Sequence, residues 1–267
     1  MGPELLSKEA GRRMVIVNLK HTQQVFLPHK ETFYRDNASR RNNLENLEGK
    51  PTQSNLKKFW ARRYYLFSKF DKGIKIDEES WYSVTPEPMA KHIAQRVVDA
   101  LSSDQGSSQV SESKGQSWPA AKLCVLDAFC GVGGNMIQFA RKCGYCVASD
   151  LDLQKLQYAQ HNAQVYNLQE PADLHLIHED YLRLPSEAKL KKGAGLDFQK
   201  INAVFLSPPW GGTGYQNLEE YSLEHIFPEF DRIVAKSVEY SPNLLLFLPK
   251  NTSISELIQR LLPFAQQ

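Results

Sequence analysis

Over residues 123–248, short apolar runs alternate with segments of helical periodicity, and that alternation restricts the region to a parallel sheet with helices on both faces. Strands are expected at 123–128, 145–149, 174–178, 203–206 and 243–248. Helices are expected at 133–143, 153–166 and 221–238, with a further one at about 253–262, while 189–195 reads as a loop. The fold class is therefore α/β, with a doubly wound, mainly parallel, Rossmann-like sheet.

The chain ahead of this region has a different texture. Leu56, Phe59, Trp60, Arg63, Tyr64 and Phe67 recur at three- and four-residue spacing, which predicts one amphipathic helix with aromatic weight. It carries Lys57, Lys58, Arg62 and Arg63, and Asp71, Lys72 and Gly73 end it. A second helix runs from 89 to about 101, opened by Pro86 and Pro88. The order expected is a mostly irregular basic segment over 1–54 with a short strand at 14–19, and a helical extension over 55–101. A flexible Ser/Gly/Gln-rich linker over 102–118 and the catalytic-type domain over 119–267 follow.

Charge divides along the same line. Residues 1–75 hold 16 Lys+Arg and 7 Asp+Glu, a balance of +9; residues 76–267 hold 16 and 23, a balance of −7. A basic N-terminal part beside an acidic remainder suggests an anionic partner. No run of eighteen apolar residues occurs and no secretory signal opens the chain, so an intracellular protein without a membrane span is expected. Cys124, Cys130, Cys143 and Cys146 include one C-x-x-C, but no second pair stands at zinc-site spacing. They read as buried free thiols, and no metal is expected.

Three motifs carry chemistry. In the first, Asp127, Gly131, Gly133 and Gly134 form a strand–turn–helix in which backbone can approach a ligand at a helix N-terminus. An acidic residue before the glycines would repel a phosphate; it suits a ligand carrying a sulfonium and an ammonium. In the second, Asp150 ends the next strand, 19 residues after Gly131, where a carboxylate can take both ribose hydroxyls. Asp152, two residues on, is the rival and reads as a helix cap. These two motifs alone leave a nicotinamide dehydrogenase open.

The third motif, Ser207, Pro208, Pro209 and Trp210 after the fourth strand, sets that alternative aside. Two prolines hold the backbone extended, and an aromatic ring then stands over the ligand end of the sheet. A planar base can stack on Trp210 while its amine donates to the Ser207 side chain and the Pro208 carbonyl. Transfer of a methyl group to that amine is the chemistry expected, with Ser207, Pro208 and Trp210 as the catalytic set. His161, His175, His178 and His225 read as surface or core residues rather than bases.

With these motifs in view, the chain resembles the trimethylguanosine synthase family of RNA cap hypermethylases. The stretches that carry the likeness are 56–71, 81–87, 127–135, 206–212 and, more briefly, 247–251. The resemblance implies a class I methyltransferase fold that uses S-adenosylmethionine. It implies two successive methyl transfers to N2 of the 7-methylguanosine cap of small nuclear and nucleolar RNAs (snRNA, snoRNA). By the same resemblance Asp127, Gly131, Asp150 and Ser207 hold the cofactor, with Phe67, Glu79, Tyr82 and Thr85 closing over it. Trp210 stacks on the cap base, and Lys58, Tyr215, Lys250 and Asn162 complete the substrate set. Action in nucleus and cytoplasm, with ribonucleoprotein partners, is implied, and a monomer is the default expectation.

Lys250 stands where arginine is common in the family, which weakens bidentate phosphate recognition. A sheet of this class closes with an antiparallel hairpin after the fifth strand, yet only one helix follows Leu248. An exposed edge, marginal solubility and a melt below about 60 °C are therefore expected. The alternative functions are a cap-binding protein without turnover and an amino-methyltransferase for adenine, cytosine or a glutamine amide.

Overall fold

The computed structural model describes residues 12–18, 25–26, 57–102, 123–194, 200–211 and 217–265. One seven-stranded sheet organises them. Its parallel part consists of β3 (Leu123–Asp127), β4 (Gly144–Asp150), β5 (Leu174–His178), β6 (Ala203–Leu206) and β7 (Asn243–Pro249). These lie in the order β7-β6-β3-β4-β5, so the connections wind outward in both directions from β3.

The edge at β7 is covered, which corrects the expectation of an exposed strand there. Strand β1 (Arg12–Asn18) pairs antiparallel with the whole of β7, from Arg12 opposite Pro249 to Asn18 opposite Asn243. Strand β2 (Val25–Phe26) pairs antiparallel with β1. The run Met14-Val15-Ile16-Val17 is β-prone within an otherwise polar segment. It satisfies the row of N–H and C=O groups that β7 presents. The closing hairpin thus comes from the N-terminal side of the chain.

Alternate residues of each strand face two separate cores. Val125, Ala148, Phe205, Leu245 and Phe247 belong to one, with α5 (Gly134–Cys143) and α6 (Leu153–Val165) and the extension packed over them. Leu126, Val147, Val204, Leu206 and Leu246 belong to the other, under α8 (Phe230–Val238) and α9 (Ile254–Ala265). Each fully buried leucine or phenylalanine contributes roughly 1.5–3 kcal/mol. Two such layers hold the strand ends that carry the site.

Three helical expectations are corrected. The aromatic helix of the extension is two short pieces, α1 (Lys57–Trp60) and α2 (Arg63–Leu66), followed by a 3-10 turn at Phe70–Lys72. Where the pieces part, the Arg62 N–H turns back to the Phe59 carbonyl at 2.9 Å, an i−3 bond, and Arg63 Nη1 donates to the Trp60 carbonyl at 3.1 Å. The segment expected to be helical over 221–238 is helical only in α8 and a 3-10 turn at Leu223–His225, because Pro228 interrupts it. The expected loop over 189–195 lies largely in α7 (Glu187–Ala194). The expected second helix is α4 (Glu87–Ser102), and a short helix that the sequence did not indicate, α3 (Ser80–Ser83), precedes it. Residues 103–122, which include most of the expected linker, lie outside the described residues.

Candidate active site

Ligands of doubly wound sheets bind at the C-terminal ends of the strands, and the expected residues gather there. β3 ends at Asp127, and a turn leads into α5. Gly131 has φ +52°, and a Cβ added to it would meet nothing within 4 Å, so the turn borders open space. Gly134 is the opposite case, since a Cβ there would come within 2.7 Å of Val84 Cγ2. Glycine at that position lets the extension lie directly on the start of α5.

Asp127 is 1% exposed. Burial pushes its carboxyl up to about 8, and the nearby Asp150 carboxylate adds to the rise. The backbone N–H groups of Phe129 and Met136 pull the other way but stop short of hydrogen-bond geometry, leaving both oxygens without a full partner. Beside Met136, Asn135 Nδ2 donates to Thr85 Oγ1 at 2.8 Å while its Oδ1 is buried and unpartnered. Buried polar atoms left without full hydrogen-bond partners are costly. A ligand ammonium, with three donors and a positive charge, supplies what they lack, so the residues fit the amino-acid end of S-adenosylmethionine.

Asp150 completes this half. Its Oδ2 accepts the Gly131 N–H at 2.7 Å and its Oδ1 accepts the Asp152 N–H at 2.9 Å. Each oxygen keeps a lone pair free for a ribose hydroxyl. Burial raises its carboxyl above the ordinary carboxylate range. Asp152 caps α6 through the N–H groups of Gln154 and Lys155, as the sequence suggested. From the extension, Phe67 and Thr85 are buried, and Tyr82 packs edge-on against Phe59 with centroids 4.8 Å apart. The Glu79 side chain, 72% exposed, pairs with Lys155 at 2.6 Å.

The second half follows β6. Phe205 stands opposite Asp127 in the β3–β6 register, which brings Ser207 to the same end of the sheet as the glycine turn. Among the described residues no hydrogen bond engages the Ser207 hydroxyl or the Pro208 carbonyl, so both can accept from a ligand amine. The half-buried Trp210 ring packs against Phe247 of β7 at 5.9 Å and 53°, and the Trp210 carbonyl accepts the Tyr221 hydroxyl at 3.2 Å. Lys250 is exposed just past β7. Lys58 belongs to α1, but its side chain and the whole of Tyr215 lie outside the described residues.

Asn162 is placed differently from its expected part in substrate binding. It is 0% exposed, its Oδ1 accepts the Lys75 N–H, and its Nδ2 donates to the Lys75 and Val132 carbonyls. Those bonds use both amide protons, so Asn162 clamps the extension to the glycine turn and has no donor left for a substrate.

The remaining candidates are structural. His161, His178 and His225 bond to backbone carbonyls and His175 to Glu170. All four cysteines are buried free thiols. Burial pushes Cys143 up to about 12 and holds Cys130 and Cys146 well above the ordinary thiol range, so they stay neutral. Among the described residues there is no metal-binding cluster and no helix long and apolar enough to cross a membrane.

Two contributors escaped the sequence reading. Asn135 was visible only as the last letter of the glycine motif; its polar amide in a buried first helical turn was the available signal. Phe247, beneath Trp210, was visible only as the first letter of the short 247–251 likeness, inside a continuous apolar run.

The model of a family described as RNA cap guanine-N2 methyltransferase matches residues 122–265. A trimethylguanosine synthase of Schizosaccharomyces pombe is 36% identical over 78% of this chain and 76% of its own length. One of Saccharomyces cerevisiae is 34% identical over 76% of this chain, which spans 57% of that relative. A solved human methyltransferase 10 domain containing protein is 18% identical, with TM-score 0.40 over 59% of this chain and 64% of that one.

Proposed function

Because this chain belongs to the RNA cap guanine-N2 methyltransferase family, we propose that it converts the 7-methylguanosine cap of small nuclear and nucleolar RNAs to 2,2,7-trimethylguanosine by two successive methyl transfers. The observation that carries this reading is the shared sheet end. The register of β3 and β6 sets an amine-accepting Ser207–Pro208 pair beside a glycine turn whose buried acceptors call for an ammonium. Nuclear and cytoplasmic action fits such substrates.

When bound, S-adenosylmethionine supplies a methyl group on positively charged sulfur. Asp127 and Asn135 accept from its ammonium, and Asp150 from its ribose. Trp210 stacks on the cap base, and the fixed charge at N7 adds a cation–π contribution of roughly 0.5–2 kcal/mol. Ser207 Oγ and the Pro208 carbonyl accept the N2 protons, which aims the nitrogen lone pair at the methyl carbon. The methyl group would pass to N2 with the cofactor leaving as a neutral thioether, and Ser207 Oγ and the Pro208 carbonyl, which hold the N2 protons, would let one proton pass to water. Positioning supplies most of the acceleration, and no protein nucleophile takes part. Lys58, Tyr215 and Lys250 are assigned to the cap triphosphate, whose charge they complement.

The test is incubation with S-adenosylmethionine and either 7-methylguanosine triphosphate or GTP, followed by mass spectrometry. One and then two added methyl masses on the 7-methylated substrate alone are expected. Equal methylation of GTP would remove the cation-selective stack, and product on neither would point to cap binding without turnover.

A further inference from the structure

We propose that Lys155 is a positioning residue whose ion pairs lock residues 77–79 of the extension over the ribose end of the site, setting cofactor affinity rather than turnover. The proposal rests on the reading of Asp150 as a cofactor ligand. Lys155 stands in the first turn of α6, and its own N–H is held by Asp152 Oδ1 at 3.2 Å. Its Nζ lies 2.6 Å from Glu79 Oε2 and 4.0 Å from Asp77 Oδ2, and the side chain is 17% exposed. Asp77 in turn accepts the Ser80 N–H at 3.0 Å, fixing the start of α3. Lys155 is also close enough to Asp150 to offset part of the burial that raises that carboxyl. One ammonium therefore joins two carboxylates of the extension to the carboxylate that ends β4.

Stability does not account for this arrangement. Ion pairs to a partner as exposed as Glu79 contribute little to folding. The extension is meanwhile anchored elsewhere by buried bonds. Glu87 accepts from the Ser68 N–H and hydroxyl and from the Tyr166 hydroxyl, and Asn162 holds Lys75. Loss of the Lys155 charge would free residues 77–79 while those anchors keep the extension docked. Cofactor would then bind only the fraction of molecules in which the segment is in place, and apparent affinity falls by that fraction.

The experiment compares wild type, Lys155→Met and Lys155→Arg by calorimetric titration with S-adenosylmethionine, steady-state kinetics on 7-methylguanosine triphosphate and thermal melts. In Lys155→Met the cofactor Kd and KM should rise about tenfold, with kcat within about twofold and the melting temperature nearly unchanged. Lys155→Arg should restore most of the affinity, because it keeps the charge. Unchanged affinity in Lys155→Met, failure of Arg to rescue, or a melting-temperature drop that accounts for the lost affinity would each overturn the latch. If wild type itself bound no cofactor, the reading of the site would fall and the latch with it. If wild type bound and Lys155→Met bound equally well, only the latch would fall.

Discussion

Where β3 ends, the site is a buried turn short of donors; where β6 ends, it is a stiff segment of two prolines and a tryptophan. In the first, Asp127 and Asn135 leave three buried oxygens short of partners, while Asp150 accepts the Gly131 N–H and Asn162 donates to the Val132 carbonyl, which ties the turn in place. In the second, Trp210 leans on Phe247, and the Ser207 and Pro208 acceptors are held by chain geometry. The difference teaches how a transferase can divide its work. On the proposed assignment, charge and proton linkage belong to the cofactor half, and shape and stacking to the substrate half. Substitutions in one half should therefore leave the other half's binding intact.

Trp210→Ala should have the largest effect. Loss of a base stack costs about 1–3 kcal/mol, and the misplaced amine costs more. A fall in kcat/KM of about a hundredfold or more is expected, with cofactor Kd within about twofold. Parallel loss of cofactor affinity in a titration would break the division between the halves.

Asp127→Asn should weaken cofactor binding by about ten- to a hundredfold, the size of a lost charge-assisted hydrogen bond, and leave cap affinity unchanged. The same carboxylate gives the cofactor half its pH signature. Its folded-state pKa is raised from 3.8 to about 8. Between those values the folded protein holds a proton that the unfolded chain has lost, so stability of the ligand-free protein declines as pH rises through that window. Melts of Asp127→Asn should show a shallower decline. An ammonium beside the carboxylate favours its ionised form, so cofactor binding near pH 7 should release a proton. Titration in buffers of different ionisation enthalpy would read that release, and buffer-independent heats would sink the assignment.

Ser207→Ala should be milder. One hydrogen bond of about 0.5–1.5 kcal/mol is removed while the Pro208 carbonyl remains, so kcat should fall by about two- to tenfold at constant cofactor KM. A larger fall in single-turnover rate would give Ser207 more than an orienting part.

Much of this was legible in the sequence, for reasons specific to each element. Four of the five parallel strands announced themselves because both faces are buried, β5 by its apolar Leu174, Leu176 and Ile177 although it is only partly buried, and Asp152 because a capping residue before a periodic run has a local signature. Pairing of β1 with β7 was not legible, since the two strands are more than 200 residues apart and register leaves no local trace. The broken extension helix was misread because spacing alone cannot show that the Arg62 N–H turns back to the Phe59 carbonyl. Within the site, Asp127 and Ser207–Trp210 are proposed from their motifs, and the structure brings them to one end of the sheet. Asn162 was assigned to substrate because its burial and its bonds to Lys75 and Val132 exist only in three dimensions.

The smallest effect bears most directly on specificity. Trp210→Phe keeps an aromatic face against the cap but weakens the electrostatic part of the stack, since indole holds a cation better than benzene does. Turnover on the 7-methylated substrate should fall only a few-fold, because proline-held Ser207 and Pro208 still aim the amine. The preference for 7-methylguanosine over guanosine should narrow by about two- to fivefold, part of the cation–π contribution. Competition assays with both nucleotides at fixed cofactor would measure the ratio directly. A ratio unmoved by Trp210→Phe would mean that the fixed charge is read elsewhere at this end of the sheet, where the Asp150 carboxylate also stands. The boundary between the two halves would then have to be redrawn to give the cofactor half a share in choosing the substrate.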